Sequence, residues 1–327
     1  MKLMSHRLIS RLSARLALGV VLALLVSSAA SAAGVSRARA ASAAAPQAAP
    51  HVSCVAARHS NDKLATKMAH DIDARLTGRN SAVGLEETDT GTGVTCTYHA
   101  SWHFYAASAI KATILAALLR KAQEQRRQLT ASEKSLAWLM ITQSDNDAAT
   151  ALWNDVGFSH MQHFLNLAKM SQTRLNAAWG LSLLTAHDET LLLTLLSGPN
   201  RILSEASRVY AQYLMSHVTA SQRWGVPAGA PSGVTVHVKN GWLPYPVSSD
   251  WEINSIGFFT SRHPYRVYTI AMLTHANPTM AYGIDTIEDA AEVIHRDLNP
   301  GQHSVIGEST PNPFWGIPDE PVPAHKG

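Results

Sequence analysis

The chain has 327 residues, 46% apolar and 16% charged, with a formal net charge of +3. Six of its 27 Lys and Arg fall in residues 1–40, which hold no Asp or Glu, so the remainder carries 21 basic against 24 acidic side chains. That mildly acidic balance excludes an electrostatic nucleic-acid surface, and the length and apolar fraction exclude a chain without a core.

Lys2, Arg7, Arg11 and Arg15 precede an apolar run at residues 16–26, too short to span a bilayer comfortably. Small residues follow, with Ala30-Ser31-Ala32 or Ala38-Arg39-Ala40 as a cleavage site. Residues 1–40 therefore read as a signal peptide and processing region. No cysteine sits there for a lipid anchor, and no Arg-Arg pair marks twin-arginine export. The expected protein is secreted, with no stable membrane span once the signal is removed. Residues 41–51, rich in Ala and Pro, read as a linker, 52–299 as the globular domain, and 300–327 as an unstructured Pro-bearing tail. The two cysteines, Cys54 and Cys96, would form a disulfide in an exported protein. Two unpaired core residues are the alternative.

Residues 61–76 have helical spacing, with Leu64, Met68, Ile72 and Leu76 on one face and Gly78 as the stop. Residues 81–88 and 94–100 read as strands of a hairpin around Asp89-Thr90-Gly91-Thr92-Gly93. Residues 106–119 form an Ala- and Leu-rich helix whose only polar side chains are Ser108, Lys111 and Thr113. An all-round apolar helix is a buried one, so Lys111 is aimed into an apolar interior. Burial lowers a lysine's pKa and suits it to act as a base, and Ser108 lies one turn away near the helix start. A capping serine and a snorkelling lysine are the alternative.

Thr130 and Glu133 make a capping box for the next helix, which ends at the polar run 142–147. Helices over 161–170, 185–196 and 204–218 follow, then a Gly/Pro loop containing Gly225-Val226-Pro227. Strands over 234–238, 251–260 and 265–274 and a helix over 283–298 close the chain. Strands at both ends of the domain can complete one sheet, with the helices between them as a second lobe and a cleft at the boundary.

Three triplets stand out: Ser108-Ala109-Ile110-Lys111 (Ser-x-x-Lys), Ser144-Asp145-Asn146, and Lys239-Asn240-Gly241. Each alone is weak. Ser-Asp-Asn is also a helix cap, and Lys-Asn-Gly a strand-end turn. Their order, and the steps of 36 and 95 residues between their first members, together resemble the penicillin-recognising serine enzymes, specifically the class A β-lactamase fold. The resemblance spans residues 81–298 and implies an α+β fold, a five-stranded antiparallel sheet flanked by helices plus an all-helical lobe.

It also implies roles. Ser108 is similar to the acyl-forming nucleophile, and Lys111 would hold or remove its proton. Ser144 would pass a proton to the leaving nitrogen, and Asn146 would orient Lys111 and the substrate amide. Asp145 would hold the loop. Lys239, Asn240, Gly241 and Trp242 would contact substrate, with Lys239 attracting its carboxylate. The backbone N–H groups of Ser108 and Trp242 would form an oxyanion hole worth about 3–4 kcal/mol per donor. No metal or organic cofactor is implied. The expected partner is a small-molecule or cell-wall peptide substrate, met by a monomer.

Three departures qualify the resemblance. Residues 156–187 contain no Asp or Glu, where class A β-lactamases carry the glutamate that activates the deacylating water. Asp188 and Glu189 follow at a helix start, where acids pair with the dipole. Asn240 replaces the usual hydroxyl residue of the third motif, and the segment between the first two motifs is short. The expected activity is that of a serine hydrolase acylated by β-lactam or peptidoglycan-like amides, with slow deacylation. A true β-lactamase using another base and a non-catalytic cell-wall binder are the alternatives. His160 and His163 read as surface residues rather than a zinc site. Trp179, Trp224 and Trp242 are candidates for a cleft wall or for the core.

Overall fold

The computed structural model describes residues 51–244, 250–262 and 265–304. The expected signal peptide, linker residues 41–50 and tail residues 305–327 lie outside the described residues.

In chain order the elements are β1 (Ser53–Ala56), α1 (Asp62–Leu76), β2 (Ala82–Asp89), β3 (Val94–Tyr98), β4 (Phe104–Tyr105) and α2 (Ile110–Glu124). Then come α3 (Ala131–Trp138), α4 (Asn146–Val156), α5 (Phe158–Ala168), β5 (Leu183–Leu184), α6 (Ala186–Ser197) and α7 (Glu205–Ser216). The chain closes with β6 (Val234–Pro244), β7 (Trp251–Arg262), β8 (Tyr265–Asn277) and α8 (Met280–Leu298). β1, β3, β2, β8, β7 and β6 lie in that order in one antiparallel sheet, and β4 pairs with β5 separately. The fold is the β-lactamase/transpeptidase-like α+β arrangement, with six strands rather than the five expected.

The extra strand is β1. Its sequence, SCVA, is too short to show a period, and its place is set by a distant partner. Cys54 lies opposite Cys96 in the β1–β3 register, and the two form a disulfide. The β2–β3 hairpin turns where expected. Asp89 is fully buried and accepts hydrogen bonds from Gly91 N (3.0 Å) and Thr92 N (2.8 Å). The same carboxylate takes a two-pronged ion pair from Arg266 of β8, at 2.7 and 2.8 Å, tying the turn to the next strand.

α1 and α8 pack on each other and against the sheet, α6 packs on β2, β7 and β8, and α2 runs through the helical lobe. The α2 residues from Ile110 to Leu119 are all buried, as their composition demands. Thr130 and Glu133 close the capping box of α3 from both sides. Strand alternation decides what faces the lobe. On β6, His237 stacks on Phe258 and bonds Gln212 O of α7, so Lys239 and Gly241, in step with it, also face the helices. Asn240 faces the other way, beside its cross-strand partner Ser255. At the C-terminal end, Ser304 bridges to Pro231, and Ser232 N donates to His303 O at 3.2 Å. The tail expected to be unstructured from residue 300 is thus paired as far as 304.

Because the disulfide ties down an edge strand, replacing both cysteines with serine should lower unfolding free energy by about 2–4 kcal/mol. Urea denaturation of the double variant measures this, and an unchanged midpoint would contradict it.

Candidate active site

Ser108 sits in a 3₁₀ turn, Ala107–Ala109, immediately before α2 rather than inside it. Ala107 has φ +44°, a left-handed conformation that costs free energy for a residue with a Cβ. The surroundings hold it there. Ala106 N donates to Ser182 O at 2.8 Å, and Asn254 Nδ2 donates to Tyr105 O (2.8 Å) and Ala106 O (3.2 Å). Tyr105 N donates to Glu252 Oε1 at 2.6 Å. Ser108 is half-buried, and among the described residues no hydrogen bond takes up its hydroxyl.

Lys111, one turn on, is fully buried. Its Nζ donates to Ser144 O (2.6 Å), Ser144 Oγ (3.2 Å) and Asn146 Oδ1 (2.7 Å). Ser144 can offer both oxygens because it ends a π-helical turn, Leu139–Gln143, in a left-handed conformation at φ +59°. Asp145 caps α4 through Ala148 N at 2.7 Å and so fixes Asn146 at the first position of that helix. Lys239, also fully buried, donates to the same Ser144 Oγ at 2.9 Å and to Asn240 O at 2.8 Å. Two buried lysine side chains thus flank one hydroxyl. Burial first, then the neighbouring Lys239, holds Lys111 well below the ordinary lysine pKa, against the pull of Asp145. Burial lowers Lys239 to about 7.

Gly241 meets the turn that carries Ser108. A β-carbon there would lie 2.6 Å from Ala109 N, 2.8 Å from Ser108 N and 2.9 Å from Ala106 O, so only glycine lets β6 approach this backbone. The three motifs therefore converge on one point. The model of the Beta-lactamase enzyme family matches residues 67–134 and 128–298, more than half of the sequence.

The chain belongs to the beta-lactamase enzyme family. Among solved structures it is similar to PBP-A (19% identity, TM-score 0.63, covering 71% of this chain and 96% of that one). It is also similar to a class A beta-lactamase from Bacteroides cellulosilyticus (17%, 0.63, 72% and 98%). A third is a PBP-A mutant in an acyl-enzyme complex with penicillin-G (19%, 0.61, 72% and 96%). At these identities the likeness is one of fold. No curated protein matches the chain in sequence.

Within this family member, one expected site residue sits elsewhere. Asn240 is fully buried on the opposite face of β6, where its Nδ2 donates to Gln222 O (3.0 Å) and Trp224 O (2.9 Å). It braces the loop before β6 and does not present an amide to the cleft. Trp242 and Trp224 are buried and meet edge to face at 5.9 Å. Trp179 alone of the three candidates reaches the site. Its ring lies 5.0 Å from Lys111 Nζ, and its indole N–H donates to Thr150 Oγ1 at 3.1 Å. His160 and His163, read as surface residues, both meet Glu124 of α2 (3.6 and 2.9 Å), which is already paired with Arg120.

The sequence reading missed Glu252 and Asn254. They share a β7 face two residues apart, and polar residues in that rhythm on an apolar strand were the available signal. Glu252 is buried, accepts from Tyr105 N and pairs with His275 at 2.7 Å. Burial raises it to about 7, against the opposing pull of His275.

Gly241→Ala should push the turn that carries Ser108 off its position and slow any acylation by a β-lactam by about 100-fold, read by stopped-flow. Removing the Lys239 charge lifts one of the two causes that lower Lys111. In Lys239→Ala the acidic limb of the acylation rate, where Lys111 loses its proton, should therefore move to higher pH. A limb that stays in place would separate the two lysines.

Proposed function

We propose that this chain is a serine hydrolase that acylates itself at Ser108 with β-lactams or peptidoglycan-like amides and deacylates slowly. The supporting observation is the continuous hydrogen-bonded path Lys111–Ser144–Lys239 beside Ser108. Neutral Lys111 takes the Ser108 proton as Oγ attacks the carbonyl carbon. Ser144 hands a proton to the nitrogen as the C–N bond breaks, since a hydroxyl both donates and accepts. Asn146 orients Lys111, and the charged Lys239 attracts a substrate carboxylate. The N–H groups of Ser108 and Trp242 hold the oxyanion.

Slow deacylation is read from the loop between α5 and α6. Arg174 pairs with Leu183, so the loop is short, and it brings Trp179 rather than a carboxylate to Lys111. The acids that follow the loop, Asp188 and Glu189, are otherwise engaged. Asp188 Oδ2 accepts from Gln172 N, Thr173 N and Thr173 Oγ1 at 2.6–2.9 Å. Glu189 is fully buried, and its burial, with Asp188 beside it, raises its pKa well above the ordinary value. A true β-lactamase is the second reading, favoured by the lowered pKa of Lys111, which could serve as the base for water as well. The disulfide supports an extracytoplasmic location, and among the described residues no helix is long and apolar enough to cross a membrane.

Intact mass after mixing with penicillin-G should show a single adduct that persists, and Ser108→Ala should show none. Consumption of penicillin with a transient adduct would select the β-lactamase reading. A folded protein without any adduct would leave a non-catalytic binder.

A further inference from the structure

Beside the Ser144 loop lies a second concavity, of about 440 Å³, lined by Trp138, Thr142, Gln143, His217 and Thr219. That volume is within the range of small-ligand sites. Two of its lining rings, Trp138 and His217, cluster with a third, Tyr213, beside it. Trp138 lies 6.0 Å from both Tyr213 and His217, and Tyr213 lies 4.2 Å from His217. Trp138 and Tyr213 keep 36% and 50% of their surface exposed, unusual for neighbouring large rings. The imidazole of His217 is oriented by its Nδ1, which bonds Tyr213 O at 2.7 Å.

The walls are pre-formed and continuous with the site. Thr219 N donates to Thr142 O at 2.9 Å, closing the two sides of the pocket. Gln222 Nε2 donates to Gln143 O at 3.1 Å, and Gln222 O accepts from Asn240, the neighbour of Lys239. Gln143 directly precedes Ser144. No Lys, Arg, Asp or Glu lines the pocket, so a phosphate or carboxylate would meet no ammonium or guanidinium there. Ring faces with polar donors and acceptors at their rim (Gln143, Thr219, His217) match a pyranose, whose C–H face stacks on an aromatic ring while its hydroxyls hydrogen-bond outward.

We propose that this pocket is a saccharide subsite, which holds the sugar of a glycan-linked amide while its peptide portion reaches Ser108. This rests on the reading of Ser108 as a nucleophile for cell-wall-type amides, and it predicts that the natural substrate carries sugar as well as peptide.

The test is saturation-transfer NMR on the full chain with chitotetraose, a soluble β-1,4-linked N-acetylglucosamine oligomer. Transfer to the sugar protons is expected, with affinity falling about tenfold or more in Trp138→Ala. Tyr213→Ala, at a more exposed ring, should weaken binding in the same direction, with thermal melting as the check that each variant is folded. Absence of transfer to folded protein, or unchanged affinity in both variants, would overturn the proposal. Displacement of the sugar by phenylacetamide would overturn it too, and reassign the pocket to aromatic acyl groups. The Ser108 reading fails separately: sugar binding without a penicillin adduct supports the subsite alone, and an adduct without sugar binding removes the subsite alone.

Discussion

Lys111 and Lys239 are both fully buried, and both donate to the one hydroxyl of Ser144. Burying two ammonium groups side by side is costly unless each finds acceptors. Much of the local backbone serves that need. The π-helical turn and the left-handed Ser144 bring a carbonyl and a hydroxyl to Lys111 together, and the Asp145 cap delivers the Asn146 carbonyl. Lys239 finds its second acceptor in the carbonyl of its own neighbour, Asn240. With no carboxylate among these partners, neither lysine gains the ion pair that would raise its pKa, and both are held low.

A second constraint follows. Ser108 lies one turn before Lys111, and the chain reaches that point through a left-handed alanine at 107. The sheet stabilises this turn through β7, whose Glu252 and Asn254 grip residues 105 and 106, and through β6, whose Gly241 carries no Cβ to clash with the backbone of residues 106, 108 and 109. Strain at Ala107 is therefore offset by elements more than a hundred residues later in the chain.

That distance explains what the sequence disclosed. The apolar helix around Lys111, the Thr130–Glu133 box, the 89–93 turn and the three motifs are local patterns; the box and the turn lie where they were read, while α2 starts at Ile110 rather than Ala106 and β6 runs through the third motif to Pro244. The disulfide was legible from compartment and count. Asn240 was misplaced because a motif names residue types, while the pleat decides which face each takes, and only the pairing Asn240–Ser255 reveals that. β1 escaped because four residues carry no period. Trp179 was one of three candidates with equal claim, and only the closure of its loop by Arg174 and Leu183 sets it over Lys111.

On the proposed reading, the fate of the acyl-enzyme turns on how the loop between α5 and α6 spends its acids. Asp188 is fully buried and gathers three donors from residues 172 and 173. Its Oδ2 holds the loop's entry, while Oδ1 is buried without a hydrogen-bond partner among the described residues. Glu189, on the next position of α6, is buried without a hydrogen-bond partner among the described residues, and burial, with Asp188 beside it, raises its pKa well above the ordinary value. What the loop does bring to the lysine is an indole, pinned by Thr150, which covers the amine with an apolar ring. The same shielding that keeps Lys111 ready to accept the serine proton keeps activated water away from the ester it leaves behind. Fast acylation and slow release would then be two results of one arrangement.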